Sequence, residues 1–155
     1  MTVKLNQPPA GLAETLARAR LLKPRLEDAT DEMNRSIQEV EAELVALQLG
    51  VRASVNLESE TDPEFGSTWY RSLIFGKDAK VWRLLIAEGR NDDPGGDVYT
   101  PLVNASREVR LRATEHLPLL VQELVTTAEA EIARVEAATK AAKAVASAIK
   151  VGGAK

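Results

Sequence analysis

Apolar residues recur at helical spacing from Leu12 onward, at Leu12, Leu16, Ala19, Leu26, Met33, Ile37, Val40, Leu44 and Leu47. A stripe of this period marks an amphipathic helix. Pro24 has no N–H to donate and its ring crowds the preceding turn. The stripe therefore predicts a short helix near 11–22 and a long one near 25–49, or a single kinked helix. Gly50 is the expected stop.

The period then changes from helical to alternating. In residues 51–58, Val51, Ala53, Val55 and Leu57 fall on one side and Arg52, Ser54, Asn56 and Glu58 on the other, which predicts a half-buried strand. An acidic loop follows, and two β-rich runs, 68–75 and 79–88, flank Gly76-Lys77-Asp78 as a hairpin. With the turn centred on Lys77-Asp78, Phe75 faces Lys80 and Leu73 faces Trp82. One face then collects Trp69, Leu73, Phe75, Trp82, Leu84 and Ile86, and the other Tyr70, Ser72, Ile74, Val81, Arg83 and Leu85.

Beyond the Asp- and Gly-rich loop 89–99, Thr100-Pro101 has the pattern of a cap and first-turn proline, so a helix is expected over 102–116. Pro118 breaks or kinks it. A last helix, 118–149, carries the stripe Leu117, Val121, Leu124, Ala128, Val135, Ala138, Ala142, Val145 and Ile149, with Glu131 the one charge in the seam. Both long helices broaden next to the strands, at Leu44, Val45, Leu47 and Leu49 and at Leu117, Leu119, Leu120, Val121, Leu124 and Val125, and narrow away from them. Burial all round near a sheet and along one stripe farther out is the expectation for helices capped by strands at one end.

The fold class expected is α+β, a single domain over 1–155. Its plan is an antiparallel long-helix hairpin, coiled-coil-like, capped at one end by a three-stranded antiparallel β-meander, with a short extra helix before the C-terminal long helix. The order of helix, hairpin strands and helix resembles the subunit plan of prefoldin-type chaperones. The resemblance is topological; no residue motif carries it, the Pro118 break and the 102–116 helix depart from it, and no function is taken from it.

Composition narrows the chemistry. The 155 residues are 45% apolar with no Cys and one His, and 20 basic against 23 acidic residues give a net charge of −3. A chain of this size buries enough surface to fold without disulfides or metals. Its balance of charge supplies no field for nucleic acid or an anionic membrane, and no apolar run approaches the length of a membrane span. The first apolar stretch is interrupted by Glu14, Arg18 and Arg20, so the N-terminus is read as mature protein rather than an export signal, with a cytoplasmic location expected. One histidine without cysteine leaves no tetrahedral zinc set, no thiol pair and no Glu-x-x-His pair for a di-iron bundle. Phosphate-cradling glycine loops and a Gly-x-Ser-x-Gly elbow are absent as well.

No catalytic residue, metal site or cofactor is expected. His116 reads as a helix-end residue, the Asp92, Asp93 and Asp97 loop as a solvated turn, Glu39, Glu41 and Glu43 as a wet helix face, and the Lys140, Lys143, Lys150 and Lys155 segment as a soluble basic end. The best candidate surface is the more polar sheet face, where Arg52, Tyr70 and Arg83 offer planar donors and a ring. Ile74, Val81 and Leu85 on that face imply a cover, either residues 102–116 or another subunit. The functional expectation is a non-enzymatic interaction module, an adaptor or assembly subunit that binds protein partners and self-associates through its helices as a homo-oligomer. The alternative is a small-anion or nucleotide sensor working through Arg52, Tyr70 and Arg83 converging on one open face.

Overall fold

The computed structural model describes residues 10–93 and 95–153. Over these described residues the fold is α+β, with three α-helices and a four-stranded antiparallel sheet. Its elements are α1 (Leu12–Ala46), β1 (Ala53–Thr61), β2 (Thr68–Asp78), β3 (Val81–Arg90), β4 (Val98–Pro101), a 3-10 turn (Leu102–Asn104), α2 (Arg107–Glu115) and α3 (Leu117–Gly153). The strands lie in sequence order, β1-β2-β3-β4. By contact the chain divides into two units, residues up to 39 and residues 40 onward.

The first unit is the helical run of α1 up to Glu39. Helix continues through Pro24, so of the two expectations the single helix stands and the break into 11–22 and 25–49 is corrected. The residues around Pro24 are exposed, and a carbonyl freed by a proline can be hydrated there at less cost than in a core. Lys23 pairs with Glu27 at 3.6 Å and Arg35 with Glu32 at 2.6 Å along its surface. Leu12, Leu16, Leu21, Leu22 and Leu26 are exposed.

In the second unit α1 ends at Ala46, three residues before the predicted limit. The left-handed residue that closes it is Gln48, whose N–H donates to the Val45 carbonyl at 3.1 Å. Glu41, on the last turns of α1, accepts the backbone N–H of Leu84 at 2.8 Å. Leu84 is buried, and β4 pairs only with Leu85 to Glu88, so this donor lies just past the end of the β3–β4 ladder. The carboxylate supplies the acceptor that a fifth pair would have provided.

The sheet differs from the predicted meander in three ways. First, β1 is longer than 51–58 and carries a register shift between Asn56 and Glu58. A bulge of this kind reverses the alternation. Glu58 thus lies opposite Arg71, and Glu60 opposite Trp69, on the side of Val55 and Leu73.

Second, the β2–β3 turn falls at Ala79-Lys80, both with positive φ, and Gly76 lies within the strand. Phe75 pairs with Leu84 and Leu73 with Ile86. The expected centre was two residues too early. Moving a turn by two residues shifts the pairing by an even number, so the face memberships survive. Third, there is a fourth strand, Val98–Pro101, where Thr100-Pro101 was expected to open a helix. Pro101 ends an edge strand, the position in a sheet where a missing N–H is tolerated.

The segment expected as one helix over 102–116 is the 3-10 turn followed by α2. Ser106 caps α2, accepting from the Val109 N–H at 3.3 Å. Pro118 falls in the first turn of α3, where no intrahelical donor is needed. α3 packs on β1 and β2, and α2 on α3. Leu73, Leu84, Ile86, Leu102, Leu120 and Leu124 are the largest fully buried side chains of this unit. Phe75 and Trp82 stack with ring centroids 5.3 Å apart on the same side. No helix among the described residues is long and apolar enough to cross a membrane.

Candidate functional site

The more polar sheet face is ordered by strand pairing. Gly76 lies opposite Arg83, Ile74 opposite Ser54 and Leu85, Ala87 opposite Tyr99, and Tyr70 opposite Ser59 and Gly89. Arg52 lies over Gly76, its Cγ and Nε each 3.5 Å from where a Cβ would stand. Arg52 and Arg83 thus flank one glycine. Tyr70 is six residues away along β2, about 20 Å at 3.3 Å per residue, and does not join them. Its hydroxyl donates to Asp97 instead. That hydrogen bond, with partial burial and the carboxylate charge, raises the Tyr70 phenol above its ordinary pKa.

Arg52 borders a groove of about 560 Å³ with Lys77, Trp82, Tyr99 and the floor residues Ile74 and Leu85. Ile74, Leu85 and Ala87 are no more than 2% exposed and form a small apolar cluster of their own. Among residues 102–116, the expected cover of this face, α2 is tied to the other side of the sheet. Arg112 of α2 bonds to Glu58, and Glu58 belongs to the opposite side of the sheet.

On that opposite side lies a charge network that sequence reasoning missed. Glu58 bonds to both Arg71 and Arg112, and Arg71 Nε donates to Glu88 at 2.9 Å. Arg71 also stands 4.9 Å over the Trp69 ring. The network joins β1, β2, β3 and α2. Its only sequence signal is i,i+2 spacing of Trp69, Arg71 and Leu73 on one strand face, and the unforeseen bulge conceals the partner.

The remaining candidate groups are occupied locally. Asp92 pairs with Arg90 at 3.2 Å, Asp93 accepts the Gly95 N–H at 2.7 Å, and Asp97 takes the Tyr70 hydroxyl. Among the described residues no cluster of three or more His, Asp or Glu is placed to hold a metal ion. His116 closes α2, its Nδ1 donating to the Arg112 carbonyl at 2.8 Å. Arg90 Nη2 donates to Ser67 at 2.7 Å and Asn91 exchanges two bonds with the Thr68 backbone, which ties the far end of the hairpin. Lys155 lies outside the described residues.

A further feature left open is apolar. The broad helix ends expected to be buried all round are buried on one side only: Leu44, Leu117, Leu120 and Leu124 are buried, but Val45, Leu47, Leu49, Leu119, Val121 and Val125 are exposed. Past Leu124, α3 runs to Gly153 with no buried residue among those described. Ile132 is 56%, Val135 57%, Val145 59% and Ile149 69% exposed. Loop residues Leu49 and Val51 and the α3 residues Ala128, Ile132 and Val135 line a groove of about 440 Å³, with Glu131 and Glu136 at its edge. Sequence reading passed the seam through Glu131. At that level the exposed apolar residue is the next one, Ile132.

Compared with known protein families, with curated proteins and with solved structures, the chain matches none.

Proposed function

We propose that this chain is a non-enzymatic interaction module, an adaptor or assembly subunit that associates with its own kind through its long helices. The single observation that carries the reading is the open apolar seam of α3 from Val125 to Ile149. A helix of some 25 residues with branched apolar side chains along one stripe is stabilised mainly by packing that stripe against something. Exposed stripes of this length mark interaction surfaces. Coiled-coil-like pairing of long helices belongs to this proposal, with the exposed leucines of α1 as a second such surface.

The anion-sensor alternative requires Arg52, Tyr70 and Arg83 on one site. Tyr70 is engaged with Asp97 elsewhere on the sheet, so no observation favours that reading. Light scattering on a sizing column at micromolar concentration tests the proposal. A mass of two or more chains is the expected result, and a monomer that persists as concentration is raised overturns it.

A further inference from the structure

The charges beside the α3 seam say which way round a second copy lies. Val125, Ala128, Ile132, Val135, Thr139, Ala142, Ala146 and Ile149 step by three and four residues without interruption, and none is charged. The one polar member, Thr139, has its hydroxyl satisfied within the helix by the Val135 carbonyl at 2.9 Å. Glu129 and Glu136 follow the seam on its N-terminal half, and Lys143 and Lys150 occupy the equivalent positions on its C-terminal half. All four are exposed.

We infer that two copies of α3 pair antiparallel about a two-fold axis level with Ala137. This deepens the self-association proposed above and rests on it. In that register Val125 meets the partner's Ile149, Ala128 the partner's Ala146, Ile132 the partner's Ala142, and Val135 the partner's Thr139. Val125, Ile132, Val135 and Ile149 each thus have an apolar group opposite, Val145 lies beside the seam, and the alanines let the helices approach closely. The flanking positions then place Glu129 beside the partner's Lys150 and Glu136 beside the partner's Lys143, each twice by symmetry. A parallel pair would instead set Glu131 against the partner's Glu136 on both sides of the seam, a like-charge contact. The groove beside Leu49 and Val51, edged by Glu131 and Glu136, receives the lysine-bearing half of the partner helix. Charge and register therefore agree on one occupant, a reversed second copy.

The absence of native cysteine makes the orientation directly testable. Val125 and Ile149 are both exposed and lie about 36 Å apart along the helix, so one chain cannot bridge them. In the full chain, V125C and I149C are oxidised separately and as a mixture. Antiparallel pairing gives cross-linked dimer only in the mixture. Cross-linking of each variant with itself means a parallel pair and overturns this inference while leaving self-association standing. An unmodified chain that is dimeric by light scattering, with no cross-link in any sample, also overturns it and moves the interface elsewhere. A monomeric unmodified chain overturns both.

Charge exchange gives a second readout that leaves the seam untouched. E136K and K143E alone should each dimerise about tenfold more weakly, and the equimolar mixture should regain the original affinity. Weakening without rescue in the mixture contradicts the pairing.

Discussion

The hydroxyl of Tyr70 donates to the carboxylate of Asp97 across the backbone of Gly89. Tyr70 and Gly89 are cross-strand partners, so the two side chains meet over the one residue of that row with nothing to obstruct them. A Cβ at Gly89 would stand 2.8 Å from the Tyr70 hydroxyl and closer still to Asp97. Gly89→Ala must therefore displace the pair. The expected outcome is a lower melting temperature, together with loosening of the 91–97 loop, read as faster amide hydrogen exchange there.

The same pair gives the protein a contribution to stability that depends on alkaline pH. The Tyr70 phenol is raised above its ordinary pKa, first by its hydrogen bond to Asp97 and then by burial and the carboxylate charge. A group raised in the folded state contributes stability that is fully present below the unfolded pKa, near 10, and is lost as pH climbs through the folded value. Tyr70→Phe should lower the melting temperature at neutral pH, and its deficit should shrink as pH rises past that point. Melting curves of both proteins across the alkaline range check this. A deficit constant with pH would assign the loss to packing alone.

Glu41 accounts for an otherwise unpaired donor in the core. Its carboxylate accepts from the Leu84 N–H at 2.8 Å beyond the end of β4. Glu41→Ala leaves that N–H without an acceptor and should cost about 1–3 kcal/mol, whereas Glu41→Gln keeps an oxygen in place and should cost less. Urea unfolding of the two variants measures the difference, and equal losses would show that charge rather than the acceptor matters.

That residue also shows where the sequence stops being informative. Periodicity alone located the long helices and three strands, and the two faces of the hairpin came out correctly although its turn was placed two residues early. An even displacement preserves which side chains share a face. What periodicity cannot register is a single inserted residue or a long-range polar contact. The bulge after Asn56 carries Glu58 to the helix-covered side, where it meets Arg71 and Arg112. β4 escaped because four residues are too few to show an alternation, and its Thr-Pro end mimics a helix start. Among the candidate residues, Arg52 and Arg83 do flank Gly76. Tyr70 is drawn off by Asp97, a partner 27 positions away that nothing local announces.

Glu58 bridges two guanidinium groups, so its removal and the removal of one arginine are unequal operations. Glu58→Leu strands Arg71 and Arg112 together, with only Glu88 left to Arg71. Arg112→Met leaves Glu58 still paired with Arg71. The side chains of the network remain partly solvated, which reduces the cost of each step below that of a buried pair. Glu58→Leu should lose about 1–2 kcal/mol and Arg112→Met less than about 1 kcal/mol. Denaturant midpoints in low and high salt check both the order and its electrostatic origin, since the gap between the variants should narrow as salt screens the stranded charges.

The β2–β3 turn is the site at which the sequence and the backbone disagree most plainly. Ala79 has φ 47° and Lys80 φ 73°, a two-residue turn of the kind that matches the twist of a hairpin and favours Asn-Gly. Alanine and lysine hold left-handed backbone at about 1 kcal/mol or more each, because the Cβ crowds the adjacent carbonyl. The hairpin holds this turn because the long pairing from Trp69–Arg90 to Asp78–Val81 outweighs the local preference, and a turn at Lys77-Asp78 would put Phe75 opposite Lys80 instead of Leu84. Replacing both residues, Ala79→Asn with Lys80→Gly, should therefore stabilise the protein by about 1–2 kcal/mol without moving the register. The gain should appear as a higher urea midpoint at unchanged slope. Destabilisation, or loss of the cross-strand contact between Phe75 and Leu84 in a nuclear Overhauser spectrum, would show that Ala79-Lys80 is not the turn that sets the pairing.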